Sequence, residues 1–96
     1  MAIIRTTADF DAWFSALRDR VAKARISIRV QRLSDGNPGQ HRVLKSGVRE
    51  LKVDHGPGYR VYYVERAGVT YILLCGGDKS TQKTDIQTAE RLAHGV

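Results

Sequence analysis

The second half of the chain is a series of strand-length runs separated by short turn signals. "HRVLK" (41–45) is followed by "SG", "VRELKVD" (48–54) by "HGPG", and "YRVYYVER" (59–66) by "AG", before "VTYILLCGG" (69–77) closes the series. Runs of this length joined by tight Gly-containing turns indicate consecutive β-hairpins. The last run is apolar at nearly every position, as in a strand covered on both faces. We therefore predict an antiparallel meander.

The first residues favour a strand followed by a helix. "AIIR" (2–5) is a short apolar opening, and Thr6 or Thr7 can cap the helix that follows it. Large apolar side chains then recur at i, i+3, i+4 and i+7, namely Phe10, Trp13, Phe14 and Leu17. This spacing predicts a helix whose apolar stripe packs in the core.

The segment "VAKARISIRVQRL" (21–33) fits two patterns. Ile26, Ile28 and Val30 alternate as they would in a strand. Helical spacing is equally present at Ala22, Ile26, Val30 and Leu33. No Gly, Pro or Asn interrupts the segment, so we predict a second helix that folds back on the first and ends at "SDGNPGQ" (34–40).

A last helix is predicted after Lys79, capped by Ser80 or Thr81, with Ile86 and Ala89 on its apolar side. The element order is then β-α-α-β-β-β(-β)-α in one domain that covers residues 1–96. We predict the α+β class, with a single twisted, mainly antiparallel sheet packed by an N-terminal helical hairpin and a C-terminal helix.

The stretch "LLCGGDKSTQKTDIQTAERLA" (73–93) invites comparison with a nucleotide-binding loop. The comparison fails, because Asp78 precedes Lys79 and Leu73 stands where the first glycine of that loop should be. A weaker expectation remains. Unpaired amides at the start of a helix, beside a lysine, suit an isolated phosphate such as one phosphodiester.

The charge balance favours a polyanionic partner. Sixteen Lys and Arg against ten Asp and Glu give a net charge of +6, and nucleic acid is the default partner for so basic a small domain. A basic surface that serves only solubility is the alternative. Much of the excess lies in one segment with Asp19 as its single acid: Arg18, Arg20, Lys23, Arg25, Arg29 and Arg32. This segment is either an electrostatic footprint or a face for an acidic protein.

Several classes of protein are disfavoured. No apolar run approaches the roughly 18 residues of a membrane span, and the N-terminus lacks a signal peptide, so a cytoplasmic location without membrane contact is expected. The single cysteine, Cys75, cannot form an internal disulfide and is predicted to be a buried small hydrophobe. His41, His55 and His94 are scattered without ligand spacing, so no metal is expected.

The motifs "LKSGVRELKV", "GPGYRVYY" and "LLCGGDKSTQKTDIQTA", in this order, resemble the RelE/ParE superfamily of toxins from type II toxin–antitoxin modules. The chain is most similar to the branch called addiction-module killer proteins, related to HigB-type toxins, from Phe10 to Ala93. The resemblance implies a RelE-like fold and a ribosome-dependent endoribonuclease (mRNA interferase) that cuts mRNA in the ribosomal A site. The RNA's own 2′-hydroxyl attacks the phosphate, without a metal or other cofactor.

The resemblance also implies partners and site residues. A cognate antitoxin, typically a helix-turn-helix protein, neutralises such a toxin, and the toxin reaches operator DNA only through it. Arg60 matches the arginine that RelE-like toxins place at the scissile phosphate, and Lys79 matches the position of a second functional arginine. For each, an ordinary surface charge is the alternative. Strand register can bring the two side chains together.

Other positions depart from the family pattern. Where RelE has lysines on this strand, the chain has Glu50 and Lys52; Glu50 is either a general base or the cross-strand partner of an arginine, and Lys52 is expected to bind RNA. Where relatives carry a tyrosine or histidine, it has Asp85, which cannot donate a proton at neutral pH without a strongly raised pKa.

Three further residues are candidates for RNA binding. Gln82 and Lys83 are expected to contribute where Asp85 cannot. Tyr62 is expected either to stack on a base or to pack in the core, as is its neighbour Tyr63. Two other functions stay open: a ParE-like inhibitor of DNA gyrase, and a non-toxic module that only binds the antitoxin.

Overall fold

The computed structural model describes residues 2–96, which form one five-stranded sheet and three α-helices. In chain order the elements are β1 (Ile3–Thr6), α1 (Ala8–Ala16), α2 (Arg20–Ser34), β2 (His41–Val43), β3 (Arg49–Val53), β4 (Tyr59–Arg66), β5 (Thr70–Asp78), a single 3-10 turn (Lys79–Thr81) and α3 (Gln82–Ala93). The predicted α+β class, with a single sheet and three helices, is confirmed. None of the helices within the described residues is long and apolar enough to cross a membrane.

The sheet has the order β1-β5-β4-β3-β2. Strands β2 to β5 pair antiparallel with their sequence neighbours, which confirms the predicted meander. Strand β1 lies parallel to β5 and occupies its outer edge, with Ile3 opposite Thr70 and Thr6 opposite Leu73. The sheet is therefore mixed, and β5 is paired on both sides.

Capping side chains set where the first two helices begin. The Thr7 hydroxyl accepts the Phe10 amide at 3.1 Å, so of the two predicted caps Thr7 is the one used. The Asp19 carboxylate accepts the amides of Val21 and Ala22 at the start of α2. These bonds satisfy donors that have no partner inside the helix. The ambiguous segment is thus helical.

The two faces of the sheet carry separate cores. The first lies under α1 and α2 and consists of Phe10, Ile26, Leu33, Leu51, Val53, Val61, Tyr63 and Leu73. The second lies under α3 and consists of Val48, Tyr62, Val64, Leu74, Cys75 and Ala89. Cys75 is buried, as predicted, and this burial raises the pKa of its thiol to about 12. Because helices cover both faces, the middle of β4, from Val61 to Val64, carries buried apolar or aromatic side chains on both faces.

Gly76 lets α1 approach β5 closely. A Cβ atom at this position would lie 2.3 Å from two carbons of the Trp13 indole, a distance that real Cβ atoms do not adopt. The indole is held on its other sides by Phe10 and Tyr59, at centroid separations of 5.8 and 6.4 Å. Residue 76 therefore has room for hydrogen only.

Candidate functional site

Arg60 and Lys79 lie close together at one end of the sheet. Arg60 lies on β4 opposite Gly77, and Lys79 directly follows β5, the neighbouring strand. Nη1 of Arg60 and Cβ of Lys79 lie 3.2 and 3.8 Å from the position that a Cβ on Gly58 would occupy. The Arg60 guanidinium and the base of the Lys79 side chain are therefore neighbours, and Arg60 lies on the face of the sheet that α3 covers.

Burial and one hydrogen bond hold the Arg60 side chain in place, while one of its nitrogens remains unpaired and partly accessible. It is only 6% exposed, and its Nη1 donates to the Gly58 carbonyl at 2.7 Å. Its Nε is buried 3.8 Å from Oε2 of Glu50, too far for a hydrogen bond, and has no other partner in the described part of the chain. Nη2 makes no hydrogen bond within residues 2–96 but is not fully buried. The guanidinium therefore presents one unpaired edge to a ligand.

Glu50 lies at the centre of the polar network beneath Arg60. The carboxylate accepts Nε of Arg42 at 2.7 Å and Nη2 of Arg42 at 3.4 Å, and it accepts Nε2 of Gln82 at 2.9 Å. Burial by itself would raise the pKa of Glu50, but the hydrogen bonds from Arg42 and Gln82 outweigh it and hold that pKa below its usual range. Glu50 is thus a buried anion at neutral pH.

This geometry bears on the two roles considered for Glu50. Arg42 is its direct cross-strand neighbour in the β2–β3 ladder, so the arginine partner is present. A carboxylate that is stabilised as the anion is a weak proton acceptor, and the Glu50 side chain is only 5% exposed. The arrangement favours a positioning role, in which Glu50 orients Arg42 and Arg60.

Replacing Glu50 by glutamine should lower the free energy of unfolding by about 3 kcal/mol at pH 7, because two arginines lose their shared buried anion. The folded-state pKa of Glu50 lies below the unfolded value of about 4.3. Its contribution is therefore complete above that pH and is lost as the pH falls through the lowered pKa. Urea titrations of wild type and Glu50→Gln should differ most at pH 7, and the difference should shrink as the pH falls below the unfolded-state pKa of Glu50.

A matched control exists at the other end of the sheet. Glu65 pairs with Arg49 at 3.8 Å, and its side chain is 28% exposed. Glu65→Gln should change the unfolding free energy by less than about 1 kcal/mol. A Glu50→Gln effect no larger than this one would show that the buried network does not stabilise the fold.

Tyr62 occupies a different place from the one its RNA-binding role requires. Its side chain is fully buried in the core under α3, and its neighbour Tyr63 is buried on the opposite face. The hydroxyl of Tyr62 lies near Glu50 without a hydrogen-bond partner among the described residues, and burial raises the pKa of Tyr62 well above its usual range. Because neither ring face is exposed, Tyr62 cannot stack on a base in this structure, and the packing alternative holds.

A 3-10 turn precedes the last helix and has its own cap. The Asp78 carboxylate accepts the Ser80 amide at 2.8 Å and caps this turn, whereas Thr81, one of the two predicted caps, occupies the cap position of α3 without a side-chain hydrogen bond to the helix. The hydrogen bond that the Ser80 hydroxyl donates to the Asp78 carboxylate is the main cause of the lowered pKa of Asp78. The Asp78 carboxylate therefore already occupies the amides that directly follow Lys79, where the predicted phosphate site would begin.

Asp85 packs on the sheet and faces inward. It accepts the Thr81 hydroxyl, and a Cβ on Gly77 would collide with its Oδ2 atom. Asp85 thus fills the space above Gly77, opposite Arg60 in the ladder. Its place in the fold is to fix the start of α3 against β5.

The remaining predicted residues surround Arg60 at different distances. Gln82 joins the network through Glu50. Lys52 is half-buried on β3 directly opposite Arg60, and its side chain lies on the same face of the sheet. Lys83 is exposed on the first turn of α3 and makes no hydrogen bond or ion pair with the other predicted site residues.

The basic segment of α2 lies on the opposite side of the sheet, because α2 packs on the first core and the site lies on the α3 side. Arg29 is not available to bind a polyanionic partner. Its guanidinium donates to the carbonyls of Lys52, Pro38 and Gln40, and desolvation lowers its pKa. Arg25 and Arg32 remain exposed on the same helix.

Arg42 is the site residue that the sequence analysis did not identify. The signal for it was the "SG" turn between β2 and β3. Leu44 pairs with Val48 across this turn, and that register places Arg42 opposite Glu50. The geometry of this turn sets the strand register, so a prediction of the turn geometry would also have predicted the Arg42–Glu50 pair. No group of three or more metal-ligating side chains occurs within residues 2–96.

The fold and the site together define a small basic α+β protein. Its buried arginine, Arg60, lies beside the carboxylate of Glu50 and close to Lys79. A family model described as "Phage derived protein Gp49-like (DUF891)" matches residues 8–93. The chain belongs to this Gp49-like family, which is associated with toxin–antitoxin modules. It is also 51% identical over 90 residues to an uncharacterized protein of Haemophilus influenzae, a match that covers 94% of this chain and 91% of that protein.

Proposed function

We propose that the protein is the toxin of a type II toxin–antitoxin module and acts as a ribosome-dependent endoribonuclease, an mRNA interferase of the RelE/HigB type. The observation that supports the proposal best is the proximity of Arg60 and Lys79 at one end of the sheet, with Arg60 fixed by Gly58 and Glu50 and unpaired at Nη2. Membership of a toxin–antitoxin-associated family supports the same conclusion.

The chemistry needs cations more than it needs acids. The 2′-hydroxyl of the RNA loses its proton to water and attacks the adjacent phosphorus, the bond from phosphorus to the 5′ oxygen breaks, and the 5′ oxygen takes a proton from water. Negative charge accumulates on the non-bridging oxygens and on the departing 5′ oxygen during this step. Arg60 donates from its free edge to the developing anion, and Lys79 supplies a second positive charge next to it. Glu50 keeps Arg60 oriented, so that little reorganisation is needed during the reaction. Lys52, across the ladder from Arg60, contacts the RNA backbone.

The proposal includes the setting of the reaction. The message is cut in the ribosomal A site, and the protein therefore works in the cytoplasm. A cognate antitoxin of the helix-turn-helix class neutralises the toxin, and the complex binds operator DNA through the antitoxin. Lys83, at the exposed start of α3, contacts RNA or ribosome outside the reacting centre.

The test is a reconstituted translation reaction with one defined message, followed by primer extension. Purified wild-type protein should produce new 5′ ends within the translated region only. The same message lacking a start codon is the control and should remain intact. Cleavage of both messages would contradict ribosome dependence. An intact message combined with trapped gyrase–DNA complexes would select the ParE-like alternative, and an intact message without any effect on growth would select the non-toxic module.

A further inference from the structure

A second polar surface adjoins Arg60 at the outer edge of the sheet. A depression of about 90 Å³ lies there, lined by Gln40, His41, Arg42, Glu50 and Lys52. Strand β2 is the last strand of the sheet on this side, so no further strand covers it. The depression shares Glu50 and Lys52 with the surroundings of Arg60, and the two sites form one continuous surface.

The side chains along this surface point the same way. In the two neighbouring strand ladders, Lys52 lies directly opposite Arg60, and Glu50 lies directly opposite Arg42. Residues paired across a ladder lie on the same face, and residues two apart on a strand do as well. Arg42, Lys52 and Arg60 therefore present positive charge on one face across three neighbouring strands, a width of about 10 Å from strand spacing.

Arg42 is the exposed and preorganised member of this set. Its side chain is 55% exposed, while Nε and Nη2 both contact the buried carboxylate of Glu50. The guanidinium plane is thus fixed by a two-point contact, and its outer edge and faces remain open to solvent. Neither a long flexible lysine nor an unpaired arginine would hold a plane in this way.

We propose that this edge depression is a nucleotide subsite, in which one base of single-stranded RNA stacks on the Arg42 guanidinium while Lys52 contacts the adjoining phosphate. Unstacked RNA bases bind to proteins by stacking on guanidinium planes as well as on aromatic rings. The subsite rests on the proposed function, since it serves the nucleotide next to the phosphate at Arg60. Arg42 is a binding residue here and takes no part in the bond-breaking step.

The experiment is an abasic scan. Fully 2′-O-methylated RNA pentamers, which cannot be cut, carry one abasic residue at each position in turn, and their affinities are measured by fluorescence anisotropy at low salt. In wild type, one position should lower the affinity about tenfold, the range expected of one stacked base. In Arg42→Lys, which keeps the charge and the partner Glu50, removal of the base at that position should have no effect.

Salt dependence separates charge from stacking. Lys52→Gln, which removes the proposed phosphate contact, should reduce the slope of log K against log salt by roughly 0.7, the value for one phosphate contact on a single strand, whereas Arg42→Lys should keep the wild-type slope. Arg5→Lys is the control, because Arg5 is exposed on β1 at the opposite edge of the sheet. It should leave both the abasic pattern and the slope unchanged.

The outcomes distinguish this subsite from the proposed function. If wild type binds every pentamer with the same affinity as its abasic versions, the subsite is overturned. The same holds if Arg42→Lys shows the wild-type pattern, even where Arg60→Ala abolishes cleavage of translated message and the proposed function stands. Conversely, an Arg42-dependent base contact in a protein that cuts no message would uphold RNA binding while removing the ribonuclease.

Discussion

Replacing Arg60 by alanine is expected to abolish growth arrest and to slow cleavage of translated message by about 10²- to 10³-fold, the loss typical of removing one donor that stabilises a developing oxyanion. Arg60 is buried, bound to the Gly58 carbonyl, and free at Nη2. Its charge is therefore already in place when the phosphorane forms. Arg60→Lys should recover little, because one ammonium cannot reach the Gly58 carbonyl and a phosphate together.

The control for this loss lies on the same strand. Arg66, at the other end of β4, is exposed and donates to the carbonyls of Glu65 and Ala93. Arg66→Ala should arrest growth like wild type. Because Glu50 keeps Arg42 and Gln82 as partners in Arg60→Ala, that variant should still unfold cooperatively in urea. Growth arrest by a folded Arg60→Ala protein would remove Arg60 from the site.

Gly76→Ala is expected to lower the free energy of unfolding by about 3 kcal/mol, at the upper end of overpacking penalties. The new Cβ would lie 2.3 Å from the Trp13 ring. The indole cannot retreat, since Phe10 and Tyr59 pack against it. For a domain of this size such a loss is a large part of the total free energy of unfolding, and it would appear as a lower midpoint in urea.

A double-mutant cycle attributes the effect to this contact. Trp13→Ala alone should also destabilise the fold, because it leaves a cavity, but adding Gly76→Ala to it should cost almost nothing. Gly95→Ala is the matched glycine control, since the nearest atom to its new Cβ is a carbonyl at 3.7 Å. Additive penalties for Trp13→Ala and Gly76→Ala would mean that the indole does not pack on residue 76.

Local patterns were sufficient to predict the secondary structure. Strand β4 has the bounds predicted from "YRVYYVER", and α2 extends one residue beyond each end of the predicted helix. Such agreement is expected where hydrophobic periodicity, turn residues and caps act within a few positions of one another. The 3-10 turn before the last helix was not predicted: Asp78 caps that turn, and Thr81, one of the two predicted caps, occupies the cap position of α3 without a side-chain hydrogen bond to the helix.

The candidate site was only partly predictable for a related reason. Arg60 and Lys79 were expected to lie together because adjacent strands were expected to hold them, and the Arg60 guanidinium and the Lys79 Cβ do lie close to each other beside Gly58. The sequence did not predict how deeply each of these side chains is buried. Tyr62 lies two residues from Arg60 on β4 and therefore on the same face of the sheet. Because α3 covers that part of the face, the Tyr62 ring cannot contact RNA. The position of a covering helix depends on contacts distant in sequence.

The amino-acid sequence by itself determined the strands, the helices, the meander and the cationic character of the chain, because each of these depends on residues close together along the backbone. Only the tertiary structure decided that β1 lies parallel to β5, that Glu50 is a buried anion shared by Arg42 and Arg60, and that most of the basic segment lies across the sheet from Arg60. These features depend on which distant groups share a desolvated space, where a charge is stable only with its partner in contact.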